Sequence, residues 1–254
     1  MINVYRCHLE AHSPIYYSTR EASGMQNTAD HLQNTALSYA LHFAVSNYHR
    51  QSGVVTYHND FLPLVKAGLY VTPATPRHVD FIDTSINPRP EGYWSPLKEQ
   101  PAYRKDKNYP SYQTHRQIAP QSTFIFYILS LAPIDIPVWI RLGGFNASCQ
   151  ITVQAHAQLD LQSGTYTFKD ALESNDLHMR KIISHDYVKM PPHILFRNFT
   201  ATGRWYTGIL PDEHGNNAPF QIPASMSYLS NPSLSHEAYI DPKLWGTEPT
   251  AQPA

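Results

Sequence analysis

Cys149-Gln150-Ile151-Thr152-Val153-Gln154-Ala155-His156-Ala157-Gln158-Leu159-Asp160-Leu161 is the stretch whose reading decides the fold. Apolar residues fill every odd position and polar residues every even one. Alternation at period two belongs to a β-strand, whose successive side chains point to opposite faces. The pattern therefore predicts a long strand with one buried and one polar face, as in an antiparallel sheet covered on one side.

The neighbouring segments supply strands for it to pair with. Phe124-Ile125-Phe126-Tyr127-Ile128-Leu129 is apolar without a break, which predicts a strand buried on both faces. Val138-Trp139-Ile140 follows Pro137 and reads as a further short, buried strand. At the N-terminus, Tyr5, Cys7 and Leu9 share one face and Ile2 and Val4 the other, which predicts a central strand. Pro14 interrupts it, and Ile15 to Ser18 extend again. Leu69-Tyr70-Val71-Thr72 reads as a short strand stopped by Pro73. A helix is predicted over 29–48, because Leu37, Ala40, Leu41, Ala44, Val45 and Tyr48 form one stripe, with Thr28 as its N-cap. Residues 163–210 read as short mixed elements, among them a strand at 194–196.

Residues 73–121 are different in kind. Eight prolines and weak periodicity predict a long thumb-like insertion or arm. The last residues, 242–254, read as a flexible tail, leaving 1–241 as one domain. The whole is predicted to be α+β, an antiparallel sheet core of ferredoxin-like kind carrying a long Pro-rich insertion. A β-sandwich with one helix is the alternative.

Composition removes several functions. With 254 residues the chain can bury a core without disulfides or metals. The net charge of −1 excludes nucleic-acid binding through bulk charge and leaves only a local basic patch. Cys7 and Cys149 form no CxxC pair and read as buried, reduced thiols of a cytoplasmic protein. The N-terminus has no basic segment leading into an apolar one, so no signal peptide is expected. No apolar run approaches the roughly 18 residues of a membrane span. Asn146-Ala147-Ser148 and Asn198-Phe199-Thr200 match the glycosylation pattern, which carries no meaning in a protein that is not secreted.

Chemistry-bearing motifs are scarce. There is no phosphate-binding glycine loop, no HExxH, no zinc-like Cys/His cluster and no nucleophile elbow. No catalytic residue, cofactor or metal is expected. A metal-independent ribonuclease needs only a His or Tyr base, a His or Lys acid and cations on the phosphate, which His115 and the nearby Lys and Tyr residues could supply. Residues 103–116 do carry a pattern, in which Arg104, Lys105, Lys107 and Arg116 interleave with Tyr109 and Tyr112. Cations hold phosphates while rings stack on unpaired bases, the combination used for single-stranded RNA. A solvated loop is the competing reading. Residues 98–116 carry five cations against two carboxylates, whereas 211–254 carry one cation against five.

Four stretches together resemble a known family. They are Tyr16-Tyr17-Ser18-Thr19-Arg20-Glu21, Gly68-Leu69-Tyr70-Val71-Thr72-Pro73-Ala74, Asn108 to Tyr112 followed by Ile118 to Phe124, and Trp139-Ile140-Arg141-Leu142-Gly143. In order and spacing they resemble the Csc-one family, the Cas-five-type subunits of type I-D CRISPR Cascade complexes. The resemblance covers residues 2 to 160. It departs at Gly143-Gly144-Phe145, where the family continues Gly-Lys-Trp. The resemblance implies a non-catalytic RNA-binding subunit with a core related to the RNA-recognition motif and an extended thumb. It implies contact with the 5′ handle of the CRISPR RNA, a Cas-seven-type backbone subunit, a Cas-ten-like large subunit, and target DNA near its protospacer-adjacent motif. Arg20, Arg141 and the 104–116 segment would grip phosphates, and Tyr109 and Tyr112 would stack. Simpler roles stay open: an ion pair of Arg20 with Glu21, a structural ion pair for Arg141, and core or interface positions for the tyrosines. Ribonuclease activity on CRISPR repeat RNA, or an RNA-free structural role, are the alternative functions.

Overall fold

The computed structural model describes residues 1–22, 25–44, 57–86, 113–177, 182–190, 193–212, 215–224, 226 and 228. Its strands in chain order are β1 (Ile2–Ala11), β2 (Arg20–Ala22), β3 (Met25–Asn27), β4 (Leu69–Val71), β5 (Thr75–His78), β6 (Phe81–Ile86), β7 (Gln113–Ile118), β8 (Thr123–Ser130), β9 (Trp139–Leu142), β10 (Ala147–Phe168), β11 (Leu172–Glu173), β12 (Ile182–Met190), β13 (His193–Pro211) and β14 (Asn217–Pro223). The helices are α1 (Asn34–Ala40) and α2 (Tyr57–Ala67), with a single 3-10 turn at Ser174–Asp176.

The larger sheet runs β11-β13-β10-β1-β8-β4, every neighbouring pair antiparallel. β1 is central, as its two apolar faces predict, and only His8 and Glu10 are less than buried. β8 is buried from Phe124 to Ser130. β1 and β4 both lie antiparallel to β8, so they run parallel to each other across it, joined through α1 and α2. The fold is α+β, built mainly from antiparallel strands.

β10 departs from its predicted single buried face. Cys149, Ile151 and Val153 pair with Ala11, Leu9 and Cys7, but Ala155, Ala157 and Leu159 pair with Arg6, Val4 and Ile2. Gln154 has no partner on β1. This bulge turns the two halves of the odd-numbered series to opposite faces of the sheet, because neighbouring residues of β1 point opposite ways. Beyond Leu159 the strand leaves β1 and pairs with β13. There Leu161 is 45% exposed, and Val153 beside the bulge is 43% exposed.

The helical prediction needs correction. Residues 29–33 are not helical; Leu32 pairs instead with Ala74. Thr28 exchanges hydrogen bonds with the Tyr17 backbone, and the N-cap is Gln33, which makes no side-chain cap. α1 ends early because His42 takes a left-handed conformation, φ 61°. The rest of the predicted span, 45–48, lies outside the described residues. α2 was not predicted, since Pro63 reads as a helix breaker. Phe61, Leu64 and Val65 nonetheless form a buried stripe, and Pro63 faces outward.

The Pro-rich 73–121 stretch also holds more order than its sequence suggests. β6 and β7 pair from Phe81–Ile118 to Ile86–Gln113, within a second sheet ordered β2-β3-β7-β6. In place of the short elements expected over 163–210, β12 and β13 form a long ribbon. The predicted tail at 242–254 lies outside the described residues. Cys7 and Cys149 are buried and free, and burial pushes both thiols up to about 12.

Candidate nucleic-acid interface

The small sheet aligns two of the predicted arginines. Its register places Arg20 opposite Asn27, Asn27 opposite Arg116, and Arg116 opposite Asp83. Residues directly opposite in a sheet share a face. Arg20 and Arg116 are both exposed, and two strand spacings set their backbones about 10 Å apart. Arg116 lies over the Phe81 ring at 4.2 Å, which holds its guanidinium over an aromatic face. Arg20 Nη2 donates to the Lys189 carbonyl at 3.2 Å, which ties the small sheet to β12. Each guanidinium has five donors, so these contacts leave donors for phosphate oxygens. The described side chains give Arg20 no carboxylate partner.

The opposite face of this sheet turns inward. His115 is 5% exposed and stacks on Tyr16, with centroids 4.5 Å apart. Tyr16 stacks in turn on Phe145 at 5.0 Å, and its hydroxyl bonds Gln26 of β3. Neither ring nitrogen of His115 has a hydrogen-bond partner among the described residues. That arrangement suits packing and lacks the oriented partner a general base would have.

The third predicted arginine reaches the same neighbourhood from another element. Along β9, Trp139 and Arg141 face outward while Ile140 and Leu142 are buried. Trp139 is 52% exposed and meets His12 edge-on at 4.9 Å, so its expected burial is corrected. Arg141 is exposed and donates to the Asn146 carbonyl at 3.4 Å, bracing its own turn. The turn is held against Tyr16, whose carbonyl accepts from the Gly144 amide at 2.9 Å. Gly143, at φ +73°, packs so close that a Cβ there would lie 2.6 Å from the same carbonyl. Gly144 is not so constrained, because a Cβ would meet the Tyr16 ring at an ordinary 3.4 Å.

Arg20 and Arg116 thus share the exposed face of the small sheet, while the Arg141 turn packs on the ring stack at its other face. Arg104, Lys105, Lys107, Tyr109 and Tyr112 lie outside the described residues. Sequence reasoning missed Tyr16, Phe81 and Phe145. Tyr16 stands at the head of one recognised motif and Phe145 just beyond another, yet nothing local shows that these motifs meet. Among the described residues no three His, Cys, Asp or Glu side chains are grouped to hold a metal. No described helix is long and apolar enough to cross a membrane.

Residues 2–231 match the family described as Type I-D CRISPR-associated protein Cas5/Csc1. Among curated proteins, none matches the chain. Two solved structures are similar in chain trace. One is a chain of the Type III-B Cmr-beta complex bound to cognate target RNA and AMPPnP, at 9% identity and TM-score 0.44, covering 78% of this chain and 86% of that one. The other is a CRISPR protein from Archaeoglobus fulgidus, at 12% identity and TM-score 0.40, covering 87% of this chain and all of the other.

Proposed function

Since this chain belongs to the Type I-D CRISPR-associated Cas5/Csc1 family, we propose that it is a non-catalytic Cascade subunit that holds the 5′ handle of the CRISPR RNA. The observation that carries this reading is the Arg20–Asn27–Arg116 row, with both arginines exposed and Arg116 over the Phe81 ring. Cations next to exposed rings grip a single strand through phosphate contacts and stacking. Ile86 and Gln113 are paired, so both ends of the segment carrying Arg104, Lys105, Lys107, Tyr109 and Tyr112 join this same sheet. In this reading that segment continues the RNA contact as a thumb. A ferredoxin-like core is supported by the order β10-β1-β8-β4 with a helical crossover from β1 to β4. Its second helix would be replaced by the strand-poor 131–138 segment.

A non-catalytic role is supported by the burial of His115 and its lack of hydrogen-bond partners. The long ribbon exposes Ile183, Tyr187, Ile194 and Ile209, which supports a protein-facing side for the Cas-seven-type or Cas-ten-like subunits. Their seating would lie near the protospacer-adjacent motif of target DNA, whose remaining sequence is read by guide pairing.

The test is RNA retention by the assembled complex across a salt series. Removing one cation that neutralises a phosphate should lower the log–log salt slope by about 0.7. Arg20→Ala and Arg116→Ala should each do so, and the double variant should lose about twice as much. An unchanged slope in the double variant would remove this face from RNA binding.

A further inference from the structure

A second concentration of cations lies apart from the Arg20–Arg116 row, around a cavity of about 270 Å³. Arg6, Arg77, Tyr127, Lys169, Asp170 and Phe220 line it. Arg6 is 4% exposed. Its Nη1 donates to the Pro211 carbonyl, and its Nε has no partner among the described residues. No carboxylate among the described residues stands within 4.0 Å of it. Asp170 is already committed, accepting from Arg77 at 2.7 Å and from the Tyr127 hydroxyl at 2.8 Å. Asp212 is the other carboxylate on the wall, and its Oδ1 accepts from the Asn216 amide at 2.9 Å.

A buried guanidinium with no carboxylate within 4.0 Å among the described residues is costly, and an anion in the cavity would lower that cost. Lys169 adds an exposed second cation without an ion pair among the described residues. Aromatic surface completes the lining, since Phe220 packs 4.7 Å from Tyr127 and 6.0 Å from Phe168 while staying half-buried. We propose that this cavity binds one nucleotide, with its phosphate on Arg6 and Lys169 and its base against Phe220. A planar guanidinium matches phosphate oxygens two at a time. The volume lies just under the usual range of about 300–1,000 Å³ for small-molecule sites, which limits the occupant to a single nucleotide. The nucleotide is either free or one residue of a strand. The proposal does not rest on the handle-binding reading, because none of its residues belongs to that face.

The experiment is calorimetric titration of the full-length protein with adenosine 5′-monophosphate, adenosine and inorganic phosphate. The monophosphate should bind at least tenfold more tightly than adenosine. Arg6→Met should weaken it at least tenfold, with a melting temperature equal to or above the parent's. Lys169→Ala, an exposed change, should weaken it several-fold at low salt and less at high salt. It keeps the test decisive if Arg6→Met fails to fold. Competition with an RNA octamer separates the sources. Displacement of the monophosphate identifies a strand nucleotide, and no displacement identifies a free one. The proposal is overturned if the monophosphate does not bind, if Lys169→Ala and every folded Arg6 variant bind it unchanged, or if an acidic peptide displaces it at lower concentration. That last result would assign the cavity to a partner's carboxylate.

Discussion

At His115 a ring with two polar nitrogens is buried where neither finds a hydrogen-bond partner among the described residues. Each such group costs about 1–3 kcal/mol relative to a satisfied one. What the ring offers instead is its flat face against Tyr16. His115→Phe should therefore keep the stack and leave the melting temperature unchanged or higher. In the same protein, repeat RNA should stay intact with and without divalent metal. Cuts by the parent that disappear in His115→Phe would reinstate the ribonuclease reading. At this scale Arg116 was legible as a cation in an aromatic-interleaved segment, and Arg20 and Arg141 only through the family resemblance. Phe81 and Tyr16 were not, because their roles arise only from contacts with distant segments, Phe81 with Arg116 and Tyr16 with His115 and the Gly143 turn.

The turn after β9 is the element on which the candidate interface hinges. Its left-handed Gly143 lets the chain approach Tyr16 closely enough for the Gly144 amide to bond the Tyr16 carbonyl. Gly143→Ala should cost about 1–3 kcal/mol in urea unfolding, from a strained φ and a Cβ facing backbone. It should also reduce RNA retention by displacing Phe145 from the stack, whereas Gly144→Ala should do neither. The elements read correctly from sequence, β1, β8 and β4, are those buried on both faces, where apolar residues run without interruption. β12 was missed because most of it is exposed, so no alternation records its faces. α2 was missed because one outward proline breaks the local rule while the buried stripe obeys it.

Across the molecule, a buried polar network joins distant parts of the chain. Asn34 of α1 and Tyr70 of β4 both donate to Asp176, at 2.6 and 2.9 Å, and the Tyr228 hydroxyl accepts from the Val71 amide at 2.8 Å. Glu173 sits beside this network, 3% exposed, with Oε2 unpartnered. Burial first, and the nearby Asp176 second, push its carboxyl from the ordinary 4.5 up to about 8. Below 4.5 it is protonated folded and unfolded alike. Between 4.5 and 8 the unfolded chain ionises first, so stability falls as pH rises and the loss is complete above 8. Glu173→Gln should match the parent near the acid end and melt higher at pH 8, flattening the profile. A parallel fall in both proteins would place the titrating group elsewhere.

The unpaired Gln154 carries a consequence of a different sort. β10 behaves like a wave whose phase inverts at one point, and the residue there encodes a count more than a chemistry. Gln154→Ala should change stability by no more than about 0.5 kcal/mol, as exposed substitutions do. Deleting the residue should instead prevent folding, read as loss of the cooperative melt. With the phase restored, either Cys149 and Ile151 or Ala157 and Leu159 would face the wrong side of β1. In this strand one letter of length outweighs any single change of spelling.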